Sequence, residues 1–299
     1  MTPHPTEPDA ILLEAGAARA SVSRRGAELT RWRVGTAELL WTKDPSVWDA
    51  TAPILFPVVG RAAGGEIRVA GKAYPMGVHG FAAAAAFTAK RLGPAGVRLT
   101  LESSDDTLAC YPFRFALHVS YRLAARSLSA EIEVENRGDG PMPYACGLHP
   151  GLRWPFAGGA PQDYGIEFAT AESPFVPEIS GEGLFRPALR PVPLEDGRRL
   201  ALAPELFAAE ALCFLGANSA SLRFLGPGGA ALGLSTSGFD HVALWSRGGA
   251  PFLCVESWTG HGDPVGFAGD LLEKPSMRLL PPGGRARHAA AYAYEPPGA

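Results

Sequence analysis

Three short segments of the 299-residue chain set a proton-transferring side chain among apolar neighbours: Val78-His79-Gly80-Phe81, Cys146-Gly147-Leu148-His149-Pro150 and Phe252-Leu253-Cys254-Val255-Glu256-Ser257-Trp258. Glu256 follows an apolar run and nearly abuts a tryptophan, which predicts a strand end beside the core. Burial there raises a carboxyl pKa and suits it to general-base work near neutrality; a salt-bridged strand terminus is the other use of such a residue. His149 is biased to extended backbone by Pro150, and an imidazole exchanges protons near neutral pH. His79 stands beside Gly80, which lets a ligand or backbone approach closely. Either histidine could equally be a satisfied structural donor. Arg61 leaves the apolar stretch ATAPILFPVVG (50–60) and needs acceptors: substrate hydroxyls, a phosphate or a structural carboxylate.

His79, His149 and Glu256 could also be read as a two-histidine, one-carboxylate iron site. They lie 70 and 107 residues apart, without the close His-x-Asp/Glu pair such sites often carry, and no metal is expected. Cys110, Cys146, Cys213 and Cys254 form no C-x-x-C pair, which argues against a zinc knuckle or thioredoxin-like motif. Four scattered thiols are expected to stay reduced in the core.

Hydrophobic residues make up 46% of the chain and charged ones 19%, with 27 Lys+Arg against 30 Asp+Glu. That balance argues against disorder and against a basic nucleic-acid-binding face. Small, weakly charged partners fit better. No apolar stretch is long enough for a membrane span, and Met1 to Pro8 lack the pattern of a secretory signal. A cytoplasmic protein with a flexible segment at 1–8 is therefore expected.

The elements that must position these residues are short strands. Gly 36 and Pro 28 leave little room for long helices and suit many turns. Strands are predicted at Ala10–Glu14, Ala18–Ser23, Leu29–Val34 and Glu38–Trp41. Residues 50–60 hold two prolines and read as a buried loop or edge segment. Ile67–Val69 and Lys72–Tyr74 form a hairpin about Gly71. Ala82–Ala86 has helix propensity but sits among strand-like residues. Val97–Leu101, Phe115–Leu123 and Leu128–Val134 alternate apolar and polar side chains, the mark of antiparallel strands with one face in a core. Residues 157–210 are Pro/Gly-rich and read as long loops or inserted hairpins. Strand signals return at Leu222–Leu225, Ala231–Leu234, Val242–Ser246, Phe252–Glu256 and Ala289–Tyr294.

Taken in order, a further set of segments resembles the aldose 1-epimerase (galactose mutarotase) family in its compact branch. They are Gly26-Ala27-Glu28-Leu29, Glu38-Leu39-Leu40-Trp41, Ala52 to Arg61, Tyr74-Pro75-Met76, His79-Gly80-Phe81 and Tyr111-Pro112-Phe113. Gly147-Leu148-His149-Pro150, Leu244-Trp245-Ser246, Pro251 to Trp258 and Leu279 to Gly283 follow. The resemblance spans nearly the whole chain. It implies an all-β fold, a large antiparallel β-sandwich of the galactose mutarotase type, as a single domain over residues 1–299. It implies a sugar in an open cleft, no metal or organic cofactor, and a monomer or homodimer. By the same resemblance Glu256 is the base at the anomeric hydroxyl and His149 the acid at the ring oxygen, with His79 and Arg61 binding the sugar. Three departures bear on substrate choice. Ser257 stands where proline usually follows the catalytic glutamate. Ala82–Ala86 replaces a stretch that often carries a basic residue. The acidic substrate-binding position, normally Asp, is best matched by Glu210, with Asp240 a rival.

A hexose-6-phosphate 1-epimerase is the near alternative and would need a cationic pocket, for which Arg61, Arg68 and Arg153 are candidates. A non-catalytic sugar sensor on the same fold is another, since fold alone does not secure function.

Overall fold

A computed structural model of the chain describes residues 10–298; the expectation of a flexible segment at 1–8 lies outside the described residues. Alternation builds the longest strands. Phe115–Leu123 buries Phe115, Leu117, Val119, Tyr121 and Leu123, and it pairs antiparallel on both sides. Val119 faces Leu99 of Gly96–Glu102 and Ile132 of Ser127–Asn136. Repetition of this pattern gives a nine-stranded sheet. Its order is Arg199–Ala201, Gly165–Phe168, Ser221–Leu225, Ala231–Ser237, Arg285–Glu295, Ser127–Asn136, Phe115–Leu123, Gly96–Glu102 and Thr88–Arg91. A four-stranded meander, Ile11–Ala15 to Ala37–Glu38, adds its own buried face.

The second large sheet carries the site. Phe252–Trp258 lies within it with all seven residues buried, as a strand covered on both faces must be. His241–Trp245 pairs along one edge; Gly147–Leu148 and Gly151–Arg153 pair along the other. Parity divides its side chains. Leu253 and Val255 enter the main core, while Phe252 and Cys254 pack with Trp41 and Trp258 joins a separate cluster. Glu256 shares the parity of Phe252, Cys254 and Trp258, so it faces away from the main core. The all-β antiparallel sandwich anticipated from the sequence is the observed fold.

Several local expectations need adjustment. Only Ala37–Glu38 is strand; Leu39, Leu40 and Trp41 are all buried, and Leu40 makes a single bridge to Leu152. The chain cannot alternate there because Leu39 and Leu40 serve the main core while Trp41 serves the Phe252 cluster. Residues 50–60 supply a two-residue edge strand, Ile54–Leu55, beside Gly147–Leu148. The alanine run makes one 3-10 turn, Ala82–Ala84. Its backbone packs so closely on Gly26 that a Cβ there would lie 2.5 Å from the Ala83 carbonyl. Within 157–210, Phe175–Ile179 and Phe185–Pro191 form an inserted hairpin, but Gly165–Phe168 and Arg199–Ala201 extend the nine-stranded sheet.

Candidate active site

The register of two strands brings the acid and base candidates together. Gly147 pairs with Trp258, Leu148 with Ser257, and Gly151 with Cys254. Carried through the intervening residues, that register sets His149 opposite Glu256, as a cross-strand pair. The His149 Nε2 lies 3.1 Å from the Glu256 Oε2. The indole of Trp258 donates to the same Oε2 at 2.9 Å, and Glu256 Oε1 has no hydrogen-bond partner among the described residues.

Two glycines on the His149 side of its strand make the walls. A Cβ on Gly147 would lie 2.8 Å from the Trp258 ring, and one on Gly151 would lie 2.7 Å from the Trp48 ring. Only glycine leaves room for these two indoles, Trp258 against the Glu256 carboxyl and Trp48 against the imidazole. The Trp48 and His149 rings stand 5.3 Å apart, and Trp48 stacks on Phe252 at 5.0 Å.

Burial sets the electrostatics of the pair. It pushes the Glu256 carboxyl well above its ordinary range, with the Trp258 hydrogen bond a smaller opposing effect. It holds the His149 imidazole well below its usual value, helped by His79 nearby. Removing water disfavours the charged form of both groups. The favoured arrangement is a neutral carboxylic acid beside a neutral imidazole, carrying one proton between them.

His79 meets His149 edge-on, with ring centroids 5.5 Å apart. Its backbone lies in the left-handed region at φ 62°, a costly conformation for histidine. The fold fixes it through Gly60, whose N–H donates to His79 Nδ1 at 3.1 Å and whose carbonyl accepts from the His79 N–H at 2.9 Å. A neutral ring with Nδ1 accepting carries its proton on Nε2. Burial and the neighbouring Arg61 hold its pKa down at about 4.

These residues line an open cleft of about 380 Å³, together with Trp48, Trp258, Arg61 and Glu210. The Arg61 guanidinium is exposed and has no hydrogen-bond or ion-pair partner among the described residues. A Cβ on Gly183 would lie 2.6 Å from its Cδ, so that glycine leaves room for the side chain. Glu210 sits at φ 74°. Arg190 donates to its carbonyl at 2.7 Å and to that of Ala211 at 2.9 Å. Asp240 is bound to Arg278 at 2.5 Å and does not line the cleft. Arg153 does not line it either, and Arg68 is paired with Glu66 elsewhere.

Among the described residues, His149, Cys254 and Glu256 bring one donor atom each within 4.8 Å of one another. Burial drives Cys254 and Glu256 towards their protonated forms, which are poor ligands. The rival two-histidine, one-carboxylate grouping of His79, His149 and Glu256 is not the cluster that converges; Cys254 stands in the place of His79. Trp48 is the wall residue that the sequence left unassigned. The glycines two residues either side of His149 are the signal in the sequence that went unread.

The cleft of this β-sandwich thus holds a buried carboxyl–imidazole pair beside Trp48, Trp245 and Arg61. Residues 9–178 match the family model described as Aldose 1-epimerase. The protein LacX, chromosomal, of Lactococcus lactis subsp. lactis is 31% identical over 82% of this chain and 85% of its own. A galactose mutarotase related enzyme from Lactobacillus acidophilus superposes with TM-score 0.89 at 26% identity, covering 96% of this chain and 98% of that one. A galactose mutarotase-like protein from Lactobacillus casei gives TM-score 0.88 at 28% identity, over 96% of this chain and 100% of that one. The chain belongs to the aldose 1-epimerase family.

Proposed function

We propose that the protein is a mutarotase that interconverts the α and β anomers of a free aldohexose. The observation that carries this reading is the buried His149–Glu256 contact of 3.1 Å at an open cleft. Transfer of the shared proton from Glu256 to His149 sets the reactive form; the Glu256 carboxylate then takes the proton of the anomeric hydroxyl through Oε1 while the His149 imidazolium protonates the ring oxygen. The C1–O5 bond breaks, leaving a free aldehyde, a neutral carboxyl and a neutral imidazole. Rotation about C1–C2 and the reverse transfers, with His149 now taking the O5 proton and Glu256 returning its own to O1, close the ring on the opposite face. Proton count is conserved, and burial favours the neutral pair that accompanies the open chain.

His79 holds the sugar through Nε2–H, and Arg61 and Glu210 bind its hydroxyls. This reading takes the chain as one domain working in the cytoplasm without a cofactor. The core cluster running from Ile11 to Tyr294 and the four free cysteines are in keeping with that. A phosphorylated substrate is disfavoured because one arginine lines the cleft and Glu210 opposes it. A sensor needs no such acid–base pair, whose burial costs stability.

The test is polarimetry of freshly dissolved α-glucose, α-galactose and glucose 6-phosphate. Acceleration for a free hexose that vanishes in Glu256→Gln supports the reading. Turnover of the phosphate alone, or binding without acceleration, overturns it.

A further inference from the structure

A second open cavity, of about 650 Å³, adjoins the catalytic cleft. The two share Arg61, Val78 and Gly181 as lining residues, so Arg61 stands at the junction and faces both. We propose that this cavity is a second sugar subsite, and that the preferred substrate is a reducing disaccharide whose free anomeric carbon meets Glu256 while its other ring passes Arg61. The inference rests on the epimerase reading.

Chemistry limits where the extension can start. Ring opening needs a free hydroxyl on C1, so a larger substrate can grow only from carbons on the other side of the ring. A ligand with C1 at Glu256 and His149 therefore sends its substituent away from them, towards the mouth shared with the second cavity.

The lining selects a glycosyl ring over a phosphoryl group. Arg61 and Glu182 are its charged side chains, one of each sign, and Glu210 adds a carboxylate in the first cleft. A dianion would meet one cation between two carboxylates. A neutral ring finds hydrogen-bonding groups at both ends and the apolar surfaces of Met76, Val78 and Leu184 between, which suits the amphipathic faces of a sugar.

Backbone conformation does not require the openness. Gly77 and Gly181 are not in the left-handed region, yet a Cβ on Gly181 would meet nothing within 4 Å, and one on Gly77 only the Gly80 carbonyl at 3.5 Å. Side chains are sterically admissible at both and would project into the cavity.

The experiment compares anomer exchange by NMR for glucose, maltose, lactose, isomaltose and glucose 6-phosphate. Titration calorimetry of the same sugars is run in parallel. At least one disaccharide is expected to show kcat/KM about tenfold above glucose, an added contact of ordinary size. Gly77→Leu is expected to abolish that advantage while leaving glucose turnover intact, and Glu182→Ala to weaken it. Should no disaccharide exceed glucose in turnover or binding, or should glucose 6-phosphate exceed them all, the subsite is refuted. An advantage untouched by both substitutions also refutes it. Tighter binding of a disaccharide without turnover of any sugar would refute the epimerase reading and leave the subsite standing.

Discussion

His149 Nε2 and Glu256 Oε2 face each other at 3.1 Å across two antiparallel strands, with both side chains almost fully buried. One proton serves the pair, and the same oxygen is fixed from the other side by Trp258. Replacing Glu256 by glutamine keeps the shape and the neutral state that burial prefers. Glu256→Gln is therefore expected to fold with an unchanged or higher Tm while turnover falls about 10³-fold, the usual worth of a positioned acid–base group. His149→Asn is expected to lose a similar factor. A Glu256→Gln protein with wild-type polarimetric rates would remove Glu256 from the mechanism.

The pH profile follows from the same contact. The singly protonated pair is the working form. Adding a second proton must charge His149, whose pKa burial lowers, and losing the shared one must charge Glu256, whose pKa burial raises. The two apparent values belong to the pair and are pushed apart. The expected kcat/KM is flat through neutrality and falls on both sides. A single inflection at the ordinary imidazole value of 6.5 would show that His149 titrates as an exposed residue and that the pair is not coupled.

Arg61 has a different signature. It stands free at the cleft, so Arg61→Ala removes charge-assisted hydrogen bonds to substrate rather than a structural ion pair. KM is expected to rise about tenfold or more with a smaller change in kcat. The same substitution deletes a positive charge that depresses His79, so the His79 ring should titrate at a higher pH by NMR. An unchanged KM would assign Arg61 to the surface.

How much of this is legible in the sequence depends on the length scale. The alternation Phe115, Leu117, Val119, Tyr121 writes one sheet face directly, and Glu256 beside Trp258 announces a buried carboxyl. The pairing of His149 with Glu256 is a matter of register between segments 107 residues apart, which no local pattern carries. Gly165–Phe168 and Arg199–Ala201 escape detection because four and three residues are too few to establish a period, and Pro and Gly surround them. Asp240 and Glu210 look alike as sequence; only the fold shows that Glu210 lines the cleft while Asp240 does not and is bound to Arg278.

The loop that presents Arg61 is held by a buried ion pair. Asp263 Oδ1 lies 2.7 Å from the Lys274 ammonium, its Oδ2 accepts from the Ala63 N–H at 2.8 Å, and its own N–H donates to the Arg61 carbonyl at 2.9 Å. Both side chains are nearly inaccessible. Lys274→Met leaves an uncompensated carboxylate in the interior and is expected to cost about 3–5 kcal/mol in urea unfolding. The double variant Lys274→Met, Asp263→Asn should recover more than half of that, because an amide is cheaper to bury. Equal losses for the single and double variants would show that the charge of Asp263 is not what the lysine compensates.

Acid should weaken the fold through histidines held neutral. His79 and His241 are each pushed down to about 4 from 6.5, chiefly by burial. Between those values the unfolded chain binds protons that the folded chain does not. Stability is therefore complete above pH 6.5, declines as pH falls through the window, and has lost both contributions below about 4. The ceiling is about 3 kcal/mol for each residue, and partial exposure of both rings reduces it. His241 gives the cleaner test, being outside the cleft lining. Its Nδ1 accepts from the Gly216 N–H at 2.9 Å, and His261, Asp240 and Arg278 are the charged or titratable groups acting on it, the first and last lowering its pKa and Asp240 raising it. His241→Asn can keep the hydrogen bond through its amide oxygen but cannot titrate. Urea unfolding at pH 7, 6 and 5 should show the wild type losing stability faster than the variant, with the two converging as pH drops. Parallel losses in the two proteins would mean that His241 keeps an ordinary pKa in the folded state.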